Sequence, residues 1–67
     1  MNPSGLFDRF DPKRAVEIII SPEMRAVKFI DRNDRTLARV RFRNPQDTMT
    51  KGLAIAGKWL KILQESP

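Results

Sequence analysis

The stretch Thr36-Leu37-Ala38-Arg39-Val40-Arg41-Phe42-Arg43 constrains the fold of this chain more than any other. Read at period two, Ala38, Val40 and Phe42 share one parity, and Leu37, Arg39, Arg41 and Arg43 share the other. A β-strand points successive side chains to opposite faces, so the segment reads as a strand with one apolar face and one arginine face. The apolar face requires a core to lie against. The arginine face requires water or an anionic partner.

Two earlier segments alternate in the same way. In Ala15 to Ile20, Val16, Ile18 and Ile20 alternate with Ala15, Glu17 and Ile19. In Arg25 to Asp31, Val27 and Phe29 alternate with Ala26, Lys28 and Ile30. Ser21-Pro22-Glu23-Met24 supplies the first turn, where Pro22 fixes its own φ and withholds a donor. Arg32-Asn33-Asp34-Arg35 supplies the second, since Asn and Asp tolerate the positive φ of tight hairpins. A hairpin centred on Pro22-Glu23 pairs Ile18 with Val27, Val16 with Phe29 and Glu17 with Lys28. A hairpin centred on Asn33-Asp34 pairs Val27 with Val40, Phe29 with Ala38, Lys28 with Arg39 and Ile30 with Leu37. Both registers gather Val16, Ile18, Val27, Phe29, Val40 and Phe42 on one face of a single meander. A one-residue slip in either hairpin would turn that face to solvent.

The remaining long segment predicts a helix near 45–64. Asn44 suits the N-cap, Pro45 the first helical position, and Asp47 the positive end of the helix dipole. Met49, Leu53, Ala56, Leu60 and Leu63 recur at spacings of three and four and are expected to face the sheet. Ile55, Trp59 and Ile62 widen that stripe on one flank, and Lys51, Lys58 and Lys61 take the opposite side. Gly52 and Gly57 each cost a helix about 1 kcal/mol relative to Ala, which points to close approach of the sheet or a second subunit. At the other end of the chain, Leu6, Phe7 and Phe10 fit one side of a helical turn that must stop by Asp11, before Pro12. These aromatics are expected to cap the core.

The expected architecture is therefore α+β. Residues 1–13 form a short N-terminal arm or helical turn, and residues 14–64 form one β-β-β-α domain. Its three-stranded antiparallel meander carries the C-terminal helix on its apolar face. No motif assigns the chain to a family. The layout resembles the three-stranded-sheet-plus-helix domains of plant ethylene-response-type factors and of phage integrase arms. That resemblance implies DNA readout by an open sheet face, here through Arg39, Arg41 and Arg43. Lys51 and Ala54 also echo the basic helix start of the double-stranded RNA-binding domain, whose long first helix has no counterpart before Ala15.

Composition limits the function. With 67 residues, one small core is near the margin of sufficiency. There is no Cys, His or Tyr, so disulfides and Cys/His metal sites are excluded and a reducing, cytoplasmic setting is expected. No run is long and apolar enough for a bilayer span, and Asp8 and Asp11 interrupt any signal-like start. Ser4, Ser21 and Ser66 have no base beside them, no Gly-rich phosphate loop is present, and no carboxylate pair is spaced for acid–base work. No enzyme activity, catalytic residue, metal or cofactor is expected. Thirteen Lys and Arg against eight Asp and Glu leave a net charge of +5, which favours an anionic partner.

Candidate binding residues follow from the open sheet face. Arg39, Arg41, Arg43 and Lys28 line it, and Arg32 and Arg35 extend the charge to the hairpin tip. Arginines on one strand face lie roughly 6.6 Å apart and fork towards phosphate, guanine or carboxylate. Lys28 directly opposite Arg39 is unfavourable for folding alone. Ile19, Ile30 and Leu37 are expected to lie exposed among these cations, with Trp59 a further candidate for an apolar interface or the core. The favoured function is nucleic-acid binding through the arginine-lined sheet face. The alternative is a non-enzymatic protein-binding module docking on an acidic protein. In either case, so small a core predicts self-association as a two-fold homodimer.

Overall fold

The structure, a computed structural model, describes residues 4–65. The Asn2-Pro3 start of the arm and Ser66 fall outside that range. The described chain is α+β, with α1 (Ser4–Phe7), a 3₁₀ turn (Pro12–Arg14), β1 (Ala15–Ser21), β2 (Ala26–Asp31), β3 (Thr36–Arg41) and α2 (Pro45–Glu65). The strands form one antiparallel sheet in the order β1-β2-β3. Among the described residues, no helix is long and apolar enough to cross a membrane.

The second hairpin has the register the alternation predicts over most of its length. Val27 pairs with Val40, Lys28 with Arg39 and Phe29 with Ala38. The register then shifts, and Ile30 pairs with Thr36 rather than Leu37. The loop explains the shift. Asp34 takes a positive φ of 64°, its N–H donates to the Asp31 carbonyl at 3.0 Å, and Asp31 N–H donates to the Arg35 carbonyl at 2.9 Å. The turn thus closes one residue earlier than a symmetric loop, and Leu37 becomes the unpaired residue of a bulge. Its side chain packs, half-buried, against the core.

The first hairpin differs from expectation by two residues. Ile18 pairs with Phe29, Ile20 with Val27, Ile19 with Lys28 and Glu17 with Ile30. The expected pairs Ile18–Val27, Val16–Phe29 and Glu17–Lys28 do not form. A shift of two keeps every side chain on its face, so the core survives the correction. The loop is four residues long because Arg25 closes it with φ 54°, its N–H donating to the Pro22 carbonyl at 3.1 Å. A second bulge, between Ala15 and Glu17, ejects Val16 from the core, where it was expected, and leaves it 60 % exposed. Ala15, expected on the open face, is buried in its place.

Phe29, fully buried, is the centre of the core. Its ring meets Phe10 at 5.0 Å, Trp59 at 5.6 Å and Phe7 at 5.8 Å between centroids, distances at which tilted and edge-to-face aromatic pairs are favourable. The N-terminal aromatics therefore do cap the core. With Leu6 they close over the side of α2 that carries Ile55 and Trp59, both buried.

Helix α2 is seated differently from the expected stripe. Its buried residues are Thr48, Gly52, Ile55 and Trp59, while Met49, Leu53 and Leu60 are exposed; of the expected stripe, Leu63 packs half-buried against the core. The start of the helix follows the sequence reading: Asn44 Oδ1 accepts from Asp47 N–H at 2.7 Å, and Pro45 opens the helix. Thr48 is fully buried because its hydroxyl donates to the Asn44 carbonyl at 2.8 Å and needs no further partner. At Gly52 an added Cβ would stand 3.0 Å from Cγ2 of both Ile20 and Val27, so the absence of a side chain is what lets helix and sheet approach. At Gly57 a Cβ would meet nothing within 4 Å.

Candidate functional site

The charged residues separate into two groups along the sheet. Lys28, Arg39, Arg41 and Arg43 lie at the end of the sheet where the Pro22–Arg25 loop turns, and there they line a depression of about 420 Å³. Arg25, Met24, Ala26 and Phe42 complete its lining. Arg32 and Arg35 sit in the other hairpin loop, beyond the Ile30–Thr36 pair. From the Lys28–Arg39 pair to that loop is roughly 10 Å of strand. The tip arginines therefore extend the positive surface without joining the depression.

The strands place the first group by simple alternation. Lys28 is on β2, with Arg39 directly opposite on β3, and Arg41 lies opposite Ala26. Because Glu17 faces Ile30 and not Lys28, the expected Glu17–Lys28 neutralising pair is absent, and Lys28 has Ile19 and Arg39 as its cross-strand neighbours. Arg43 lies past the end of β3, in the bend before Asn44. It is held there by two contacts to Arg25, one from backbone and one from its side chain: Phe42 N–H donates to the Arg25 carbonyl at 2.8 Å, and Arg25 Nη1 donates to the Arg43 carbonyl at 3.4 Å. Among the described residues the side chains of Lys28, Arg39, Arg41 and Arg43 make no hydrogen bond or ion pair. Five cations thus converge on one concavity whose lining includes no carboxylate.

The positive charge also turns the corner of the sheet. β3 is an edge strand, and on its core side a groove of about 610 Å³ opens between β3, α1 and α2. Leu6, Val40, Phe42, Ala54 and Ile55 make its floor, and Arg9, Arg39, Arg41 and Lys51 stand around it. Arg39 and Arg41 belong to both concavities. They form the shared ridge of a cationic band that wraps β3.

The apolar candidates fare unevenly. Ile19 is 37 % exposed on the open face, as expected. Ile30 is buried at 6 %, because it sits on the central strand beneath its neighbours, and Leu37 is drawn towards the core by its bulge. Trp59 is core: 6 % exposed, its ring against Phe29 and its Nε1 donating to the Pro12 carbonyl at 2.9 Å. The expectation of Ile30 and Leu37 as exposed contacts is thus corrected by the two bulges and the central position of β2. Arg25 was not among the expected site residues. At period two it shares the parity of Val27 and Phe29, and its left-handed backbone, φ 54°, at the end of the loop breaks that alternation and leaves it in the lining of the depression. Arg9 and Lys51 carried no local signal, since only the packing of α1 and α2 beside β3 brings them there. Comparisons of the chain with protein-family models, with curated proteins and with solved structures give no match.

Proposed function

We propose that this chain is a non-enzymatic nucleic-acid-binding domain whose contact surface is the cationic band around β3. The observation that carries the reading is the convergence of Arg25, Lys28, Arg39, Arg41 and Arg43 on one depression without an ion pair among the described residues. Bringing five like charges together opposes folding, and a polyanion that passes over them relieves the repulsion and releases its own counterions. Arginine predominates, so the contacts are forked hydrogen bonds to phosphate oxygens, with base edges accessible to Arg39 and Arg41 from the open face. Because β3 is an edge, a nucleic-acid backbone can track along it, with Arg9 and Lys51 on one flank and Lys28 on the other.

A second reading is favoured by one observation. Met24, 63 % exposed, lines the same depression as the five cations, and Ile19 is exposed beside Lys28. An acidic peptide carrying an apolar residue would use both features, whereas nucleic acid requires neither.

A salt titration separates the two. Anisotropy with labelled duplex DNA, single-stranded DNA and RNA should show binding at low salt that weakens linearly in log–log form. Engagement of four or five phosphates gives a slope of about −4 on duplex. No binding to any of the three at low salt would end the nucleic-acid reading and leave the acidic-protein reading in its place.

A further inference from the structure

We propose that the outward strip of α2 is a self-association surface, on which a second copy of this chain packs its own α2 antiparallel across Ala56 and Gly57. The inference is independent of the nucleic-acid reading, since the strip and the cationic band share no residue.

Gln46, Met49, Leu53, Gly57, Leu60 and Gln64 are all exposed. At 100° per residue they fall within an arc of about 80° on the helix surface. None is charged, although 31 % of the chain is. Met49, Leu53 and Leu60 are 41 %, 60 % and 50 % exposed, so the strip presents large apolar groups in a continuous line along the helix. Such a line on the outside of a small basic protein is what an interface shows. The core does not need it: α2 already buries the parallel stripe Thr48, Gly52, Ile55 and Trp59.

Its arrangement specifies the occupant. Leu53 and Leu60 stand symmetrically about the midpoint between Ala56 and Gly57, the two smallest residues on this side of the helix. An antiparallel copy related by a two-fold through that midpoint sets Leu53 against Leu60 of the other chain, and Leu60 against its Leu53. The small residues then meet at the axis and allow the helices to approach closely. The strip is self-complementary, as a two-fold interface must be. Gly57 also acquires a reason. Inside a helix, glycine is unfavourable relative to alanine, and nothing within 4 Å of its absent Cβ accounts for it in the single chain. A second helix at that point does.

The chain has no cysteine, so single cysteines report the geometry directly. Gly57→Cys, near the axis, should form a disulfide-linked dimer under mild oxidation, and Lys58→Cys, about 100° round the helix, should not. Leu53→Cys mixed with Leu60→Cys should cross-link to each other faster than either does to itself. By sedimentation, the parent should pass from monomer to dimer between low micromolar and millimolar concentration, as a small interface implies. The double variant Leu53→Glu/Leu60→Glu should remain folded by circular dichroism and weaken the dimer by about a hundredfold or more. A folded parent that stays monomeric to millimolar concentration overturns the proposal. So does a dimer that the double variant leaves unchanged, or cross-linking at position 58 equal to that at 57.

Discussion

Trp59 Nε1 donates a 2.9 Å hydrogen bond to the carbonyl oxygen of Pro12, tying the second half of α2 to the turn that leads into β1. The two residues are 47 apart in sequence, and the ring that carries the donor also packs edge-on to Phe29. One side chain thus joins the arm, the sheet and the helix. Trp59→Phe keeps most of the packing and removes this hydrogen bond, while the Pro12 carbonyl still accepts the Ala15 N–H, so it should lower unfolding free energy by about 0.5–1.5 kcal/mol. Trp59→Ala removes the ring as well and should cost about 3–5 kcal/mol, enough to unfold most domains of this size. Urea melts of both variants check the order. Equal loss in the two would mean that the ring contributes nothing beyond its donor.

The two helix glycines should respond to alanine with opposite signs. Gly57→Ala meets open space within the chain and gains helix propensity, so in dilute monomer it should stabilise by up to about 1 kcal/mol. Gly52→Ala gains the same propensity, but its methyl stands 3.0 Å from Cγ2 of Ile20 and Val27. Both neighbours are β-branched and stiff at χ1, so helix and sheet must separate, at a cost of about 1–3 kcal/mol. Thermal melts at one low concentration decide it. A stabilising Gly52→Ala would show that the sheet yields at this contact.

This contrast also explains which part of the fold was legible beforehand. The strands, the helix and the caps follow from local chemistry: alternation, Pro22, the Asn33-Asp34 turn, and Asn44 with Pro45. The phase of α2 does not. Met49-Leu53-Ala56-Leu60-Leu63 and Thr48-Gly52-Ile55-Trp59-Ile62 have the same four-three spacing, displaced by one residue. Hydrophobicity selects the first, because Thr48 and Gly52 look poorly suited to a core. Packing selects the second as far as Trp59, because only Gly52 permits the close approach to Ile20 and Val27, and only Trp59 reaches both Phe29 and Pro12; at the last turn Leu63 of the first packs against the core. The bulges at Val16 and Leu37 were hidden for a related reason. Period-two reading assumes one residue per partner, and a bulge breaks that rule without altering composition. At the site, the row Lys28, Arg39, Arg41 and Arg43 was legible from parity alone. The contributions of Arg9 and Lys51 depend on contacts between elements that no local pattern encodes.

Asp31 gives the fold an acid-sensitive point. Its Oδ1 accepts the backbone N–H of Arg35 at 2.9 Å and of Asn33 at 2.8 Å. The Arg35 N–H is the main cause that holds the carboxyl below its ordinary value of 3.8. The Asn33 N–H and the charges of Arg35 and Arg14 act in the same direction, and burial opposes them. A carboxyl depressed in the folded state adds stability that is fully present above its unfolded pKa, about 3.9, and is lost as pH falls through the folded value. Asp31→Asn retains an acceptor in the same place without the charge. It should be less stable than the parent at pH 7, and its stability should fall less between pH 5 and pH 2, so that the two converge in acid. Parallel stability curves across that range would show that the charge of Asp31 plays no part in holding the turn.

The cationic depression can be probed by two substitutions with different effects on the fold. Arg41 lies opposite Ala26, is exposed, and makes no hydrogen bond or ion pair among the described residues. Arg41→Ala should leave stability within about 0.5 kcal/mol of the parent. If the arginine reads a base, the variant should weaken nucleic-acid binding by about 1–3 kcal/mol at a particular sequence; if it touches phosphate, the loss should be uniform and the salt slope should fall by about one unit. Arg25 differs because it holds a positive φ of 54°, a conformation that costs an L-residue roughly 1 kcal/mol and glycine almost nothing. Arg25→Gly relieves that strain but gives up the long contact to the Arg43 carbonyl, so stability should hold or rise slightly while one cation leaves the depression. A variant at least as stable as the parent that binds more weakly separates recognition from folding. Unchanged affinity in both variants would remove the depression from the contact surface.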